Sequence, residues 1–276
     1  MSRVPFSLDR VWLIAGNTLQ EAARQRLLQL FLLLGLGLVL GAQSLRDFNF
    51  GASELKFIAD FGFGALAFFG SALSITATAS LFWSELEQRT AQTLLAKPVW
   101  RLEFILGKFL GVAAFVAVFC ALLTGLLMAI LWTRETALSR ELHEPVQHSV
   151  AYAGVAAVGF FQFLKLSVLA ACTLLLASFA QSQLFTVVMG FFVLVICHLQ
   201  FLLQEAYARS GGVVARGFAG LLALVFPDFQ VFAEADWSGA ANGPDAMTVL
   251  QVTGYAAGYV AVFCGLAGWV FHRREI

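Results

Sequence analysis

The sequence predicts an all-α integral membrane fold. It has about six transmembrane helices, an interfacial amphipathic helix before them, and a short interfacial or re-entrant helix before the last span. Three observations predict it. Of 276 residues, 60% are hydrophobic and only 12% are charged, against roughly a quarter charged in a soluble domain, whose surface must stay wet. Mean hydropathy is +0.82. The charges cluster between apolar runs long enough to cross about 30 Å of hydrocarbon at about 1.5 Å per residue.

Residues 8–26 read as the amphipathic helix. Leu8, Val11, Trp12, Ala15, Leu19 and Ala22 recur at three- and four-residue spacing, while Arg10, Asn17, Gln20, Glu21, Arg24 and Arg26 fall largely elsewhere. With Trp12 as an interfacial anchor, this segment is expected to lie in the membrane plane. Mixed polarity over the first 27 residues, with no prompt small-x-small site, argues against a cleaved signal peptide.

The expected spans are Leu28–Leu45, Ile58–Trp83, Ile105–Trp132, Ala151–Phe179, Leu184–Leu203 and Leu250–Phe271. The apolar stretch Val213–Phe226, closed by Pro227, is too short to cross comfortably and reads as interfacial or re-entrant. Paired with neighbouring residues it would make a seventh crossing and separate the termini. No internal repeat is visible, and residues 1–276 read as one membrane domain, with external loops at 133–150 and 204–249.

Lys and Arg near the span ends set orientation. With six spans, one side holds Arg3, Arg10, Arg24, Arg26, Arg89, Lys97, Arg101, Lys108, Arg273 and Arg274. The other holds Arg46, Lys56, Arg134, Arg140, Arg209 and Arg216. The bias of ten to six predicts both termini and residues 84–104 to be cytoplasmic. Net charge is zero, with no basic tail or patch for nucleic acid. Cys120, Cys172, Cys197 and Cys264 are isolated within apolar runs, with no zinc or disulfide spacing, and read as packing residues.

The segment between the second and third spans carries the functional signal. It reads Ser84-Glu-Leu-Glu-Gln-Arg-Thr-Ala-Gln-Thr-Leu-Leu-Ala-Lys-Pro-Val-Trp-Arg101. Thr90 is placed to cap a short helix, and Pro98 ends it by disfavouring helical geometry at Lys97. Leu94 and Leu95 then form an apolar knob rimmed by Glu85, Glu87, Arg89, Lys97 and Arg101, a shape suited to a groove on a partner. A plain solvated loop would carry the same charges.

From Glu87 to Gly111 the pattern Glu-x-Arg-Thr-x-x-x-Leu-Leu-Ala-x-Pro, then Arg-x-Glu-Phe and Gly-Lys-x-x-Gly, resembles the first cytoplasmic loop of a family of ABC transporter permeases. These are the permeases often labelled as involved in multi-copper-enzyme maturation. Val11–Arg26 is similar to their amino-terminal helix and Phe271–Glu275 to their basic end. The resemblance implies an exporter-type permease of a prokaryotic cytoplasmic membrane. It would pair with a second copy of itself or a similar permease, and bind two copies of a separate ATPase. Glu85, Glu87, Arg89, Thr90, Leu94, Leu95, Lys97, Pro98 and Arg101 would then form the ATPase-contacting coupling segment. ATP and Mg would sit in that partner, with no cofactor in this chain. The sequence agrees: Gly107-Lys108 lacks both the upstream Gly and the following Ser or Thr of a Walker A loop, so no ATPase activity is expected.

Gly64, Ala67, Ser71, Ser74 and Thr78 in the second span, and Gly107, Gly111, Ala114 and Gly125 in the third, form small-residue lines that read as helix packing. Lys165, with Gln162 three residues before it, is a candidate intramembrane polar site. Its ammonium requires a partner or a wet cavity, or else its stem snorkels to an interface, and Asp60 and Glu205 are the nearest acids by crude depth. His143, Glu144 and His148 do not make His-Glu-x-x-His, and His198 reads as a hydrogen-bonded packing residue. No clustered nucleophile and base supports an intramembrane enzyme. A non-transporting membrane scaffold would show the same spans and the same loop.

Overall fold

The computed structural model describes residues 6–44, 54–87, 100–142, 150–209, 220, 225–233 and 244–273. Helices α1 (Leu8–Arg24), α2 (Arg26–Gly41), α3 (Glu54–Glu87), α4 (Arg101–Leu142), α5 (Tyr152–Phe179), α6 (Gln183–Arg209) and α7 (Ala246–Arg273) follow in order, with a 3-10 turn at Phe229–Ala233. No strand occurs among the described residues. Long runs of Leu, Phe, Ala and Val satisfy their backbone groups within the helix, the one solution hydrocarbon permits for a segment with no edge partner.

Five of these helices are long and apolar enough to cross a membrane: α3, α4, α5, α7 and the Gln183–Gln200 part of α6. The pair α1 and α2, bent by 68°, supplies a sixth when taken together. Five of the expected spans therefore stand, while the first, Leu28–Leu45, is met by the 16-residue α2, which reaches span length only together with α1. Two further changes follow. First, the amphipathic segment ends two residues earlier than its pattern implies, because Gln25 is extended (φ −73°, ψ 119°) and forms an elbow. No Pro or Gly marks that break. Second, α4 continues through residues 133–142, so half of the expected external loop is helix. Arg134 pairs with Glu54 of α3, and Glu135 accepts hydrogen bonds from Tyr152 Oη at 2.5 Å and Val150 N at 3.2 Å. These contacts hold the extension against its neighbours.

Helices α3 and α5 are the most enclosed, whereas α6 and α7 turn most of their surface outward. α5 is the central rod, packed by α3, α4, α6, α7 and the 3-10 turn. Small residues set the close approaches. A Cβ on Gly70 would lie 2.6 Å from Leu166, and one on Gly190 would lie 2.8 Å from Ile75. Ser74 Oγ donates across to Leu166 O at 2.9 Å, while Ser71 and Thr78 bond back to Ala67 O and Ser74 O. The small-residue lines thus serve packing, except at Gly64 and Gly125, where a Cβ would meet nothing within 4 Å.

The amphipathic stripe of α1 also divides differently from its helical wheel. Val11, Ala15, Thr18 and Ala22 are buried, mainly against α4, whereas Trp12 is 68% and Leu8 66% exposed. One apolar face packs on protein, and a second faces outward as a membrane anchor would. Chain direction places the elbow at Gln25, the ends of α3 and α5, and the starts of α4 and α6 at one end of the bundle. The last turn of α7 joins them at this loop end.

Candidate functional site

Residues 88–99 lie outside the described residues, and with them Arg89, Thr90, Leu94, Leu95, Lys97 and Pro98. Glu87 closes α3. The described structure shows how the segment is anchored on both sides. On the incoming side, Glu85 pairs with Lys108 of α4, Oε1 to Nζ 2.7 Å, and Glu21 of α1 stands 3.6 Å from the same ammonium. Lys108 is 1% exposed. An ammonium this enclosed is tolerated only with countercharges in contact, and two are supplied from two helices. Ser84 Oγ donates to Glu21 Oε1 at 2.7 Å, and Ser80 Oγ to Gln25 Oε1 at 2.9 Å. The end of α3, the start of α4 and the elbow of α1 are therefore tied into one unit.

On the outgoing side, Glu103 is fully buried and serves two helix starts at once. Its Oε2 accepts the backbone N–H of Trp100 at 3.1 Å, capping α4 from its third position, and its Oε1 accepts the N–H of Ser7 at 2.8 Å. Arg10 Nη2 lies 3.2 Å from the same Oε1 and supplies the positive charge. Next to it, Arg101 Nη1 donates to the carbonyls of Phe271 and His272, both at 2.7 Å. These are orphan acceptors at the C-terminus of α7, where a cation is favoured. Phe82, Phe104 and Phe271 fill the space between, Phe104 and Phe271 stacked at 5.7 Å. Trp83 Nε1 donates to Thr186 Oγ1 at 3.0 Å and adds α6.

α1 lies directly on α4 because α4 offers glycine at two consecutive turns. A Cβ on Gly107 would stand 2.6 Å from Ile14 Cβ, and one on Gly111 2.5 Å from Thr18 Cβ and 2.7 Å from Ala15 O. The loop end is thus a platform in which α1, α3, α4, α6 and α7 meet, with residues 88–99 leaving from it and returning to it.

A family model described as ABC-2 family transporter protein matches residues 14–276. The chain belongs to the ABC-2 family of transporter proteins. No curated protein matches it. The resemblance read from Glu87–Gly111 thus names the right class, an ABC transporter permease, and membership implies association with an ABC ATPase. In this permease, Glu85 of the expected coupling set pairs with Lys108 of α4, and Arg101 donates to the last carbonyls of α7. Lys108, Glu103, Glu21 and Arg10 were absent from that set. Their signal was present, since Glu103 and Lys108 are charges at the start of an otherwise apolar span, where each demands a partner.

The second expected site is at mid-depth. Lys165 lies about 20 Å from either end of α5 at about 1.5 Å per residue. Asp60 does not pair with it, and the side chain of Glu205 lies outside what is described. Nζ donates to His198 Nε2 at 2.9 Å and lies 5.3 Å from the centroid of Phe229. His198 Nδ1 stands 2.9 Å from Leu194 O. A carbonyl only accepts, so Nδ1 carries the imidazole proton and Nε2 is free to accept from the lysine. The 3-10 turn folds back into the bundle to reach this point, with Asp228 N donating to Tyr255 Oη at 2.7 Å. The expected interfacial or re-entrant stretch Val213–Phe226 lies outside the described residues except for 220, 225 and 226, as do His143, Glu144 and His148. Gln162, three residues from Lys165, has a buried Oε1 with no hydrogen-bond partner. Among the described residues no group of three His, Cys, Asp or Glu side chains gathers as a metal site would.

Proposed function

We propose that this permease is the membrane-spanning half of an exporter, driven by two copies of a separate ATPase that seat the segment around Arg89–Arg101 of each protomer in a groove. The protomer pairs with a second copy of itself or a similar permease, in a prokaryotic cytoplasmic membrane with both termini and the loop end facing the cytoplasm. ATP and Mg belong to the ATPase partner. One observation carries the reading: both flanks of 88–99 are fastened, through Glu85–Lys108 and through Arg101 on the last carbonyls of α7. A segment that receives force must not swivel on its attachments.

The proposed mechanism is mechanical. Closure of the ATPase pair draws the two coupling segments together. α3 and α4, of 34 and 42 residues, are stiff rods of about 50 and 60 Å. Tilting their fastened ends re-orients their far ends, and α1 and α7 move with them because Glu103 and Arg101 tie them in. The pathway opens as a rigid-body change rather than by local unfolding.

The test uses a cysteine at position 93, Thr93→Cys, because the four native cysteines are buried. A membrane-impermeant maleimide should label it in inverted vesicles and not in intact cells. Labelling from outside would end the reading, since no cytosolic motor could reach the segment. Glu87→Ala or Arg89→Ala should reduce co-purification of the ATPase while membrane insertion is kept. ATPase binding without ATP-driven transport in vesicles would leave the scaffold function instead.

A further inference from the structure

Among the side chains that are described, no carboxylate pairs with Lys165. Its nitrogen meets a neutral imidazole and an aromatic face, both of which orient an ammonium and neither of which neutralises it. Asp228, on the segment that covers the site, accepts the N–H of Gln230 at 2.9 Å through Oδ1 and makes no ion pair with Lys165. An ammonium buried at mid-span without an anion is costly, and such residues mark sites where a charged group visits.

The surroundings say what kind of group. His198 is exposed on the outer face of α6, in line with Val188, Phe191 and Val195 at three- and four-residue spacing, all of them exposed. The imidazole therefore bridges an apolar outward surface and a buried cation. Phe229 closes the inner wall, edge-on to His198 at 5.3 Å. We propose that Lys165, His198 and Phe229 form a site for an oxyanion carried on a hydrocarbon tail. The tail lies along the outer face of α6, and the carboxylate or phosphate takes the fourth side of the Lys165 ammonium. The site needs no nucleotide and no ATPase, so it stands or falls apart from the coupling reading.

The experiment measures adducts on the full-length chain by native mass spectrometry from a non-ionic detergent, with dodecyl phosphate as probe. Dodecyl phosphate should bind at least about tenfold more tightly than dodecanol, the same tail without the charge. Lys165→Met should remove that difference, and Lys165→Arg should keep most of it. Inorganic phosphate should fail to displace the probe. Equal binding of dodecyl phosphate and dodecanol by the native chain would overturn the proposal even if Lys165→Met did not fold. Undiminished probe binding by a folded Lys165→Met chain would overturn it too. Displacement by inorganic phosphate at the same concentration as dodecyl phosphate would show that the tail has no part.

Discussion

The side chain of Arg101 ends on the backbone of Phe271: its Nη1 lies 2.7 Å from that carbonyl and equally close to the next, 170 residues along the chain. The first residue of α4 thereby caps the last turn of α7. Nothing local in either segment requires this. It explains how a loop between the third and fourth helices can be mechanically joined to the end of the described chain.

Arg101→Met should therefore be felt at α7 rather than at its own position. It removes two charge-assisted hydrogen bonds and the favourable charge at the helix C-terminus, together about 1–2 kcal/mol. Hydrogen exchange should speed at residues 269–273 while α4 amides near 104–108 stay protected. Unchanged exchange in the last turn of α7 would show that the contact does not hold it.

Glu103→Gln tests the shared cap. The carboxylate serves Ser7 N, Trp100 N and Arg10 with two oxygens, and the amide leaves one oxygen and no charge. Losing the buried pairing should cost about 1–3 kcal/mol. Limited proteolysis should cut the first ten residues sooner than in the native chain, with the helices α3 to α7 still intact. Equal cutting rates would mean that α1 is held without this carboxylate.

The bundle was legible in the sequence because a membrane span is a local property: about 20 apolar residues suffice to announce one. The expected starts and ends of α3, α5 and α7, and the start of α6, fall within four residues of those found, while α6 runs six residues past its expected end. What was not legible depends on distant partners. The elbow at Gln25 carries no breaker residue, and is held by Ser80 and Ser84 of α3 through Gln25 and Glu21. The extension of α4 rests on Glu54, 80 residues before Arg134, and on Tyr152, 17 residues after Glu135. Lys165 was recognised as needing a partner. Its real partners, His198 and Phe229, come from a helix and a turn that only the folded bundle brings near. The coupling segment is the reverse case. Its motif is plain in the sequence, while only its anchors at Glu85 and Arg101 are structurally described.

Gly111 and Gly16 form a matched pair. A methyl group on Gly111 would meet Thr18 Cβ at 2.5 Å and Ala15 O at 2.7 Å, one of them backbone that cannot step aside. Gly16, next to Ala15 on α1 but on another face of that helix, has nothing within 4 Å. Gly111→Ala should overpack the α1–α4 crossing and cost about 1–3 kcal/mol. Gly16→Ala should be neutral or slightly stabilising, since alanine favours the helix by about 1 kcal/mol. Melting temperatures in detergent read both, and a reversed order would mean that α1 does not lie on α4 as described.

The last prediction concerns the buried charge at the root of the coupling segment. Lys108 holds Glu85 at 2.7 Å and stands 3.6 Å from Glu21. Removing only the lysine, as in Lys108→Met, strands two carboxylates around an apolar chain. The cost should be about 3 kcal/mol, at the low end for a broken buried pair because both acids keep some contact with solvent. Glu85→Gln alone leaves Lys108 with Glu21 and should cost less. If the pair acts as one unit, the double variant must be less damaged than the two single losses added together, with a coupling of about 1 kcal/mol or more. Additive losses would mean that Lys108 and Glu85 stabilise the platform independently, and that α3 is free to turn against α4 where the segment leaves it.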